Sequence, residues 1–197
     1  MTEIRKATPA DEAAVCRFYQ EACADLETQP YSPRWSWGLY PSEEHLHRKQ
    51  TEGSLYLALV DGEVAAAMIL DHTRNERYDA FAWPCPLAED GYLVLHTLCV
   101  GARWGGQGLG KRMCRFIQEE AVRQGMKAIR LDVLKGNLPA ERLYLAAGFT
   151  LMGTLPMEYS GCGMVEAELY EWLVPSCRSV SPLREPADHG ILMQNDR

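Results

Sequence analysis

Apolar residues recur along the chain with two different periods, and each period predicts one type of element. Residues 4–7 predict a short first strand, and apolar positions at helical spacing in residues 15–26 predict a first helix that ends near residue 25. Thr8 is the expected N-cap of this helix, and Ser42 is the expected N-cap of a second, polar helix at residues 42–51.

Strand-like runs predict most of a sheet. Residues 54–60 and 63–70 are two strands joined by Asp61-Gly62, the dipeptide of a tight hairpin. Residues 92–100 are an apolar strand, which a glycine-rich turn connects to a helix with one apolar face. A buried strand at residues 128–133 follows, so strand, helix and strand form a parallel crossover.

The last predicted elements are a helix and two closing strands. The helix begins after Asn137, its expected N-cap, and ends before Gly148. The closing strands are expected at residues 149–153 and 166–173.

Two segments lack periodicity but are rich in aromatic side chains. Residues 29–41 either cover the core or wall a pocket for an acceptor substrate. Residues 75–90 are long enough to be either a lid or a packed loop. The aromatic candidates for a substrate pocket are Tyr31, Trp35, Trp37 and Trp83.

The composition is that of a folded domain: 197 residues, of which 47% are apolar and 24% charged. We expect one domain at residues 1–174 and a C-terminal tail at residues 175–197, either mobile or packed on the partner subunit of a homodimer. The formal charge of −7 argues against nucleic-acid binding, which favours a basic surface. An apolar signal core and a run of membrane-spanning length are both missing from the sequence, so we expect a cytoplasmic protein without a membrane partner.

Metal-ligating residues do not occur at the spacing of a metal site. The seven cysteines include no Cys-x-x-Cys pair, and His45 and His47 are two positions apart on a predicted helix, where they face different ways. We therefore expect no bound metal.

The glycine-rich turn after residue 100 is the expected centre of the chemistry. Its glycines allow positive φ and close approach of a ligand, so consecutive N–H groups can converge on an anion at the start of the next helix. Basic side chains around the turn suit an anionic ligand, or else form only a solvated helix face. These side chains are Arg103, Lys111, Arg112 and Arg115.

Two phosphate-binding motifs fail at single residues of this turn. The spacing from Gly105 to Lys111 fits a P-loop, but Arg112 replaces the hydroxyl residue that would ligate Mg²⁺. The Rossmann spacing fails because Lys111 stands where the third glycine belongs. A plain turn, whose glycines serve only its geometry, stays open as an alternative.

A third pattern combines the turn with residues on both sides of it. It consists of Leu98-Cys99-Val100, the segment from Gly105 to Gly110, and Asn137, Ala140, Tyr144, Gly148 and Phe149. This pattern resembles the GNAT superfamily of acyl-CoA-dependent N-acetyltransferases, specifically in residues 95–149 and in element order over residues 4–173. With that order, the resemblance implies a GNAT-like mixed α/β (α+β) fold, with a mostly antiparallel central sheet of about seven strands, splayed near Val100, and about four flanking helices.

The resemblance also implies acetyl-CoA as the acyl donor, with its pyrophosphate on the amides of the turn and without a metal. Gly105 departs from the family pattern, which has Arg or Gln at this position, and Arg103 and Gln107 are candidates to compensate. The implied cofactor-binding residues are Leu98, Cys99, Val100, Gly105, Gly106, Gln107, Gly108, Leu109, Gly110, Lys111, Arg112, Asn137 and Tyr144.

Catalytic roles are implied for three residues. The backbone N–H of Leu98 would stabilise the oxyanion and Tyr144 would serve the leaving thiolate. Asn137 and Tyr144 are about two helical turns apart and project from nearly one face. The alternative is that Asn137 only caps the helix and Tyr144 only packs.

His96 is the candidate base, because its strand resembles the histidine-bearing strand of arylalkylamine N-acetyltransferases. Strict alternation along the strand predicts His96 on the same face as Leu98, with Cys99 opposite, which disfavours an acyl-cysteine intermediate. A core histidine with a purely structural role is the alternative.

We therefore expect direct transfer of an acetyl group from acetyl-CoA to a primary amine of a small molecule in a ternary complex. A non-catalytic acyl-CoA sensor and a nucleotide-phosphate-binding enzyme are the alternatives.

Overall fold

The computed structural model describes residues 1–159 and 161–180, with side chains up to residue 177. The expected tail at residues 175–197 lies outside the described residues from residue 181 onwards. Its first part, Pro175–Val180, is a 3-10 turn.

Seven strands form one sheet in the described part of the chain, in the order β1-β2-β3-β4-β5-β7-β6. Only β4 and β5 are parallel, and the other neighbouring pairs are antiparallel, which confirms the mixed, mostly antiparallel sheet. The strands are β1 (Thr2–Lys6), β2 (Leu55–Val60), β3 (Glu63–Asp71), β4 (Tyr92–Val100), β5 (Ala128–Leu134), β6 (Thr150–Tyr159) and β7 (Gly163–Leu173).

The helices begin where the capping residues predict. Ser42 Oγ accepts a hydrogen bond from His45 N at 3.2 Å, and Asn137 Oδ1 accepts one from Ala140 N at 3.4 Å. Thr8 forms a capping box with Asp11, ahead of a 3-10 turn that leads into the first helix. The helices are α1 (Glu12–Glu27), α2 (Glu43–Thr51), α3 (Arg77–Ala80), α4 (Leu109–Arg123) and α5 (Leu138–Ala146).

The structure contains two features that the sequence pattern did not predict in full. The short helix α3 lies inside the connection at residues 75–90. The closing hairpin is longer than predicted, and β6 and β7 pair from Thr150 opposite Glu171 to Tyr159 opposite Gly163. Pro156 and polar residues hide the strand signal there, while pairing between two adjacent segments satisfies their backbone groups without an apolar pattern.

The sheet separates two apolar layers. On one face α4 buries Met113 and Ile117 against Leu93 of β4. On the other face α1 buries Val15 and Tyr19 against β2 and β3. The helices therefore cover both faces of the sheet, and the candidate site lies at its centre.

The sheet opens between β4 and β5. Their pairing covers only Tyr92–Val94 against Ala128–Arg130, so the remaining length of each strand has no partner on that side. This is the splay expected near Val100. Peptide groups along the open edge of β4 are therefore accessible to a ligand.

A β-bulge at Thr97 changes which side chains share a face of β4. Thr97 has a φ of +49°, and the pairing moves from His96 opposite Ile69 to Cys99 opposite Ala67, so three steps on β4 match two on β3. His96 and Cys99 consequently face the α1 layer, whereas Leu98 packs with the α4 layer. The predicted alternation is wrong here, because a bulge adds one residue to the repeat.

Candidate active site

A continuous cavity of about 570 Å³ occupies the opening between β4 and β5. The part that we call the α5 half is lined by Leu98, Val100, Asn137, Ala140, Leu143 and Tyr144. The part that we call the α2 half is lined by residues of the 28–41 loop, α2, the segment after β3, β5 and the β6–β7 hairpin. One ligand in each half would therefore meet the other beside the open edge of β4.

The glycine turn lies at the start of α4, next to the α5 half. Gly106 and Gly108 have φ values of +72° and +76°, a left-handed conformation that favours glycine. Among the described residues, the backbone amides of residues 106–111 meet no hydrogen-bond acceptor. Six consecutive free donors at the N-terminus of a 15-residue helix form a site for an anion.

Gly110 sets the spacing between α4 and α5. A Cβ atom at this position would lie 3.1 Å from Leu143 Cδ2 and 3.7 Å from Val100 Cγ2, so α4 approaches α5 closely beside β4. This contact explains why the turn ends in glycine: a larger residue would push α5 away from β4.

Two of the basic side chains around the turn, Arg103 and Arg112, hydrogen-bond to residues outside it. Arg103 Nη1 donates to Glu63 Oε2 at 2.7 Å, and Arg112 Nη1 donates to Thr2 Oγ1 at 2.9 Å. Gln107 Nε2 donates to the Arg103 carbonyl at 3.2 Å. In this arrangement neither Arg103 nor Gln107 replaces the side chain that Gly105 lacks, and the backbone amides remain as the anion-binding groups.

Asn137 and Tyr144 both line the cavity, as their spacing predicts. The Tyr144 ring is 7% exposed and packs against Phe149 and Tyr170, while its hydroxyl has no hydrogen-bond partner among the described residues. Burial raises the pKa of this hydroxyl well above its usual value. Tyr144 is therefore a protonated donor that is free to serve a ligand.

Cys99 is unsuited to covalent catalysis for a reason that the sequence did not show. Its side chain lies on the same face as His96 but is buried in the α1 layer. Burial raises the pKa of its thiol to about 12, so the thiolate is scarce at neutral pH. Leu98 and Cys99 can meet a ligand through backbone groups at the open edge of β4.

The neighbours of His96 select one tautomer of its ring. Its Nε2 atom lies 2.8 Å from the Thr73 carbonyl oxygen and 3.5 Å from Asp71 Oδ1. Because a carbonyl only accepts hydrogen bonds, Nε2 carries the proton, and Nδ1 of the neutral ring keeps its lone pair. The ring, with 22% of its side chain exposed, can accept a proton inside the cavity.

Asp71 anchors this arrangement from β3. Burial acts to raise its pKa, but hydrogen bonds from His96 and Lys49 outweigh burial and hold the pKa of Asp71 well below its usual range. Lys49 Nζ lies 2.8 Å from Asp71 Oδ2 and is nearly inaccessible. The carboxylate is thus ionised and fixes the position of His96.

Asp132 of β5 is a cavity residue that sequence reasoning missed. Tyr78 Oη donates to Asp132 Oδ1 at 2.7 Å, and Tyr159 Oη donates to Oδ2. Among the described residues, no cation pairs with this carboxylate. The available signal was a single acidic residue inside the buried strand at residues 128–133, which needs a partner or a function.

The aromatic candidates divide by position. Trp35 lines the cavity, whereas Trp37 packs beside α1 and the Tyr31 side chain is 42% exposed on the surface. Trp83 Nε1 donates to the Tyr78 carbonyl at 3.0 Å, and its ring stacks on Arg130 at 3.9 Å. In the described chain only Trp35 of the four is on the cavity wall, and the 75–90 connection is packed on the sheet at Trp83.

The described residues hold neither a metal-ion cluster nor a membrane-spanning helix. They contain no group of three or more His, Cys, Asp or Glu residues placed to hold a metal ion. Within the same residues, every helix is too short or too polar to cross a membrane.

The Acetyltransferase (GNAT) family matches this chain over residues 11–149. Phosphinothricin N-acetyltransferase of Streptomyces viridochromogenes is 30% identical over 157 residues, which are 78% of this chain and 76% of that protein. An uncharacterised N-acetyltransferase of Bacillus subtilis is 28% identical over 142 residues, covering 70% of this chain and 74% of that protein.

Solved structures share the fold at low sequence identity. The acetyltransferase of the GNAT family from Streptococcus pneumoniae superposes with a TM-score of 0.66 at 18% identity and covers 88% of this chain and 99% of its own. An acetyltransferase of Salmonella typhimurium, solved with its cofactor acetyl-CoA, gives a TM-score of 0.65 at 18% identity. The match covers 88% of this chain and 94% of that protein.

Proposed function

The chain belongs to the GNAT family of acetyltransferases, and from this premise we propose that it moves an acetyl group from acetyl-CoA to a primary amine of a small molecule by direct attack. One observation carries the proposal. A single cavity joins Tyr144 and the open edge of β4 to His96 and Asp132, so a donor and an acceptor can be held side by side.

The α5 half supports the donor assignment. The amides of residues 106–111 are available to the pyrophosphate of acetyl-CoA, and the open edge from Leu98 to Val100 is available to the amide groups that follow it along the coenzyme. The acetyl-CoA bound to the structural relative from Salmonella typhimurium supports the same donor.

The α2 half supports an amine as the acceptor. A primary amine with a pKa near 10.4 is protonated at pH 7, and removing that proton costs about 4 to 5 kcal/mol. The unneutralised carboxylate of Asp132 attracts the ammonium form. His96 then accepts the proton at Nδ1, while Asp71 stabilises the imidazolium through Nε2.

The remaining groups act on the tetrahedral intermediate. The neutral amine attacks the thioester carbonyl and forms the new C–N bond, and the N–H of Leu98 stabilises the oxyanion. When the C–S bond breaks, Tyr144 donates its proton to the leaving thiolate. The nitrogen keeps only one hydrogen in the amide, so it releases its second proton to solvent, and solvent restores the proton of Tyr144. Asn137 lines the same side of the cavity and is placed to hold the coenzyme next to Tyr144.

The curated relative supports a small-molecule acceptor, because its name states that it acetylates phosphinothricin. A panel of free amino acids, phosphinothricin and simple amines is therefore the assay set. Release of free coenzyme A, with mass spectrometry of the acetylated product, measures transfer.

A binding experiment separates this proposal from its alternatives. We expect a thermal shift with acetyl-CoA and none with Mg-ATP. Stabilisation by Mg-ATP alone would favour a nucleotide-phosphate enzyme. Acetyl-CoA binding without any acetylated amine across the panel would favour a sensor and contradict the proposed transfer.

A further inference from the structure

The β-bulge of β4 is in contact with a side chain that has no part in the reaction described so far. Tyr19 of α1 is fully buried and packs in the α1 layer. Its hydroxyl donates a hydrogen bond to the Thr97 carbonyl oxygen at 2.9 Å and lies 3.4 Å from Thr97 Oγ1. Of these two residues only Thr97 lines the cavity. Tyr19 therefore influences a ligand through its neighbours and not by contact.

Thr97 has a backbone conformation that its surroundings must maintain. Its φ of +49° lies in the left-handed region, which a β-branched residue rarely adopts. Such a conformation persists where neighbouring groups hold it, and it is concentrated at functional sites. The Tyr19 hydroxyl is one such group, because it bonds the carbonyl of this residue from a helix packed on one face of the sheet.

The Thr97 carbonyl and the Leu98 N–H belong to the same peptide unit. This unit is trans, so its C=O and N–H point in opposite directions. The carbonyl is directed at Tyr19 in the α1 layer, and the Leu98 N–H is consequently directed away from that layer. Leu98 lines the cavity at the open edge of β4. A rotation of this peptide unit would move the proposed oxyanion donor.

The Tyr19 bond also makes the Leu98 N–H a stronger donor. A hydrogen bond accepted by an amide carbonyl polarises the N–H of the same amide, and a buried site enhances the effect. Burial raises the pKa of the Tyr19 hydroxyl well above its usual value, so this hydroxyl keeps its proton at neutral pH. The bond to the Thr97 carbonyl is therefore permanent under assay conditions.

We propose that Tyr19 is a positioning residue for acetyl transfer, which holds the Thr97–Leu98 peptide unit so that the Leu98 N–H meets the thioester oxygen of the donor. This inference rests on the proposed acetyl transfer, because it names the group that orients the oxyanion donor of that reaction. Tyr19 itself exchanges no proton with either substrate.

The test replaces Tyr19 by phenylalanine. Tyr19→Phe removes the hydroxyl and keeps the ring, with its edge contacts to Phe18 at 5.3 Å and Trp35 at 6.2 Å. Loss of a whole oxyanion donor lowers kcat by about 10²- to 10³-fold, so a misdirected donor should lower it by about 10- to 100-fold. The rate is measured with the amine of the panel that the native chain acetylates fastest. The Kd of acetyl-CoA should change little, because the amides of the glycine turn are intact.

The pH profile separates Tyr19 from His96. If the variant displaced the base, its deficit would shrink as pH rises toward the pKa of the amine. The Leu98 N–H does not titrate, so a misdirected donor should lower kcat by the same factor from pH 6 to pH 10. A deficit that disappears at high pH would assign Tyr19 to the support of His96 and overturn the proposal.

Infrared spectroscopy gives a readout that a packing defect would not move. Acetyl-CoA with ¹³C at the acetyl carbonyl is bound without an amine, and its C=O stretching frequency is compared with that of free acetyl-CoA. A hydrogen bond from Leu98 polarises this carbonyl and should lower the frequency in the native chain. In Tyr19→Phe the frequency should return toward the free value, and an unchanged frequency would overturn the proposal.

Tyr56→Phe is the matched control. Tyr56 of β2 is also buried, but its hydroxyl interacts with Glu120 of α4, and the residue lies outside the cavity lining. Its variant should keep the native kcat and carbonyl frequency. Equal losses in the two variants would show only the general effect of removing a buried hydroxyl and would contradict the role of Tyr19.

A second variant tests the route through the bulge. Glycine adopts a positive φ without strain, so adding Thr97→Gly to Tyr19→Phe should recover part of the lost kcat. A double variant no faster than Tyr19→Phe would contradict that route. If Tyr19→Phe alone does not fold, the double variant is compared with Thr97→Gly, and a kcat equal to that of Thr97→Gly would overturn the proposal.

Binding and turnover together distinguish this inference from the proposed function. A lowered carbonyl frequency that reverts in Tyr19→Phe, without acetylation of any amine, would sustain the positioning of Leu98 and contradict the transfer reaction. Acetylation with the same kcat and frequency in Tyr19→Phe would sustain the transfer and contradict the role of Tyr19. A native chain that does not bind acetyl-CoA would contradict both.

Discussion

The two halves of the cavity are built from different parts of the chain. The α5 half and the adjoining turn offer a ligand backbone groups: the amides of residues 106–111 and the open edge of β4. The α2 half offers side chains that come from separate elements, such as His96 and Asp132. Backbone donors suit one constant ligand, whereas side chains can be replaced without changing the fold, so under the proposed function the α2 half would set acceptor specificity.

The largest effect should come from Tyr144 of the α5 half, whose hydroxyl is the proposed proton donor to the leaving thiolate. Tyr144→Phe keeps the ring packing and removes the proton donor, so kcat should fall by about 10³-fold. The Kd of acetyl-CoA, measured by calorimetry, should change little. Tyr170→Phe is the control, since its hydroxyl bonds Glu168 outside the cavity. An unchanged kcat would remove Tyr144 from the reaction.

Replacement of His96 should have a pH-dependent effect confined to the α2 half. His96→Gln should lower kcat/KM by about 10²-fold at pH 7, because the amine then loses its base. The deficit should shrink as pH rises toward the pKa of the amine, where the neutral amine no longer needs a base. A uniform loss from pH 6 to pH 10 would show that His96 only packs.

Asp132 should affect acceptor recognition more than donor binding. Asp132→Asn removes the charge that attracts the ammonium while leaving an acceptor for one tyrosine, so kcat/KM for the amine should fall by about 10- to 100-fold. The Kd of acetyl-CoA should stay as in the native chain. Glu158→Gln, at an exposed carboxylate of the same cavity, should have a smaller effect. Equal losses in the two variants would point to the general charge of the cavity instead.

The smallest effect should come from Gly110, which sets the spacing between α4 and α5 beside the α5 half. Gly110→Val places a side chain against Leu143, at a position where a Cβ already lies 3.1 Å from it. Overpacking of about 1 kcal/mol should raise the KM of acetyl-CoA by about fivefold and leave the KM of the amine nearly constant. Adding Leu143→Ala should recover much of the loss. A larger change in the amine KM would show that the two halves are mechanically coupled.

Local patterns accounted for much of the fold. Caps at Thr8, Ser42 and Asn137, the Asp61-Gly62 hairpin and the apolar face of α4 each depend on neighbours within a few residues, so the sequence contains the whole cause. The glycine turn and the spacing of Asn137 and Tyr144 are local in the same sense. The glycine turn and this pair of residues form the α5 half and its adjoining turn.

The sequence by itself determined the order of the elements, the glycine turn with the spacing of Asn137 and Tyr144, and the family of the chain. Only the tertiary structure decided the rest. The bulge at Thr97 moved His96 and Cys99 to one face, because strand register depends on the partner strand β3. Asp132 gained its place in the cavity and its two tyrosine partners, Tyr78 and Tyr159, from the tertiary structure, since a site made of side chains exists only when distant segments meet.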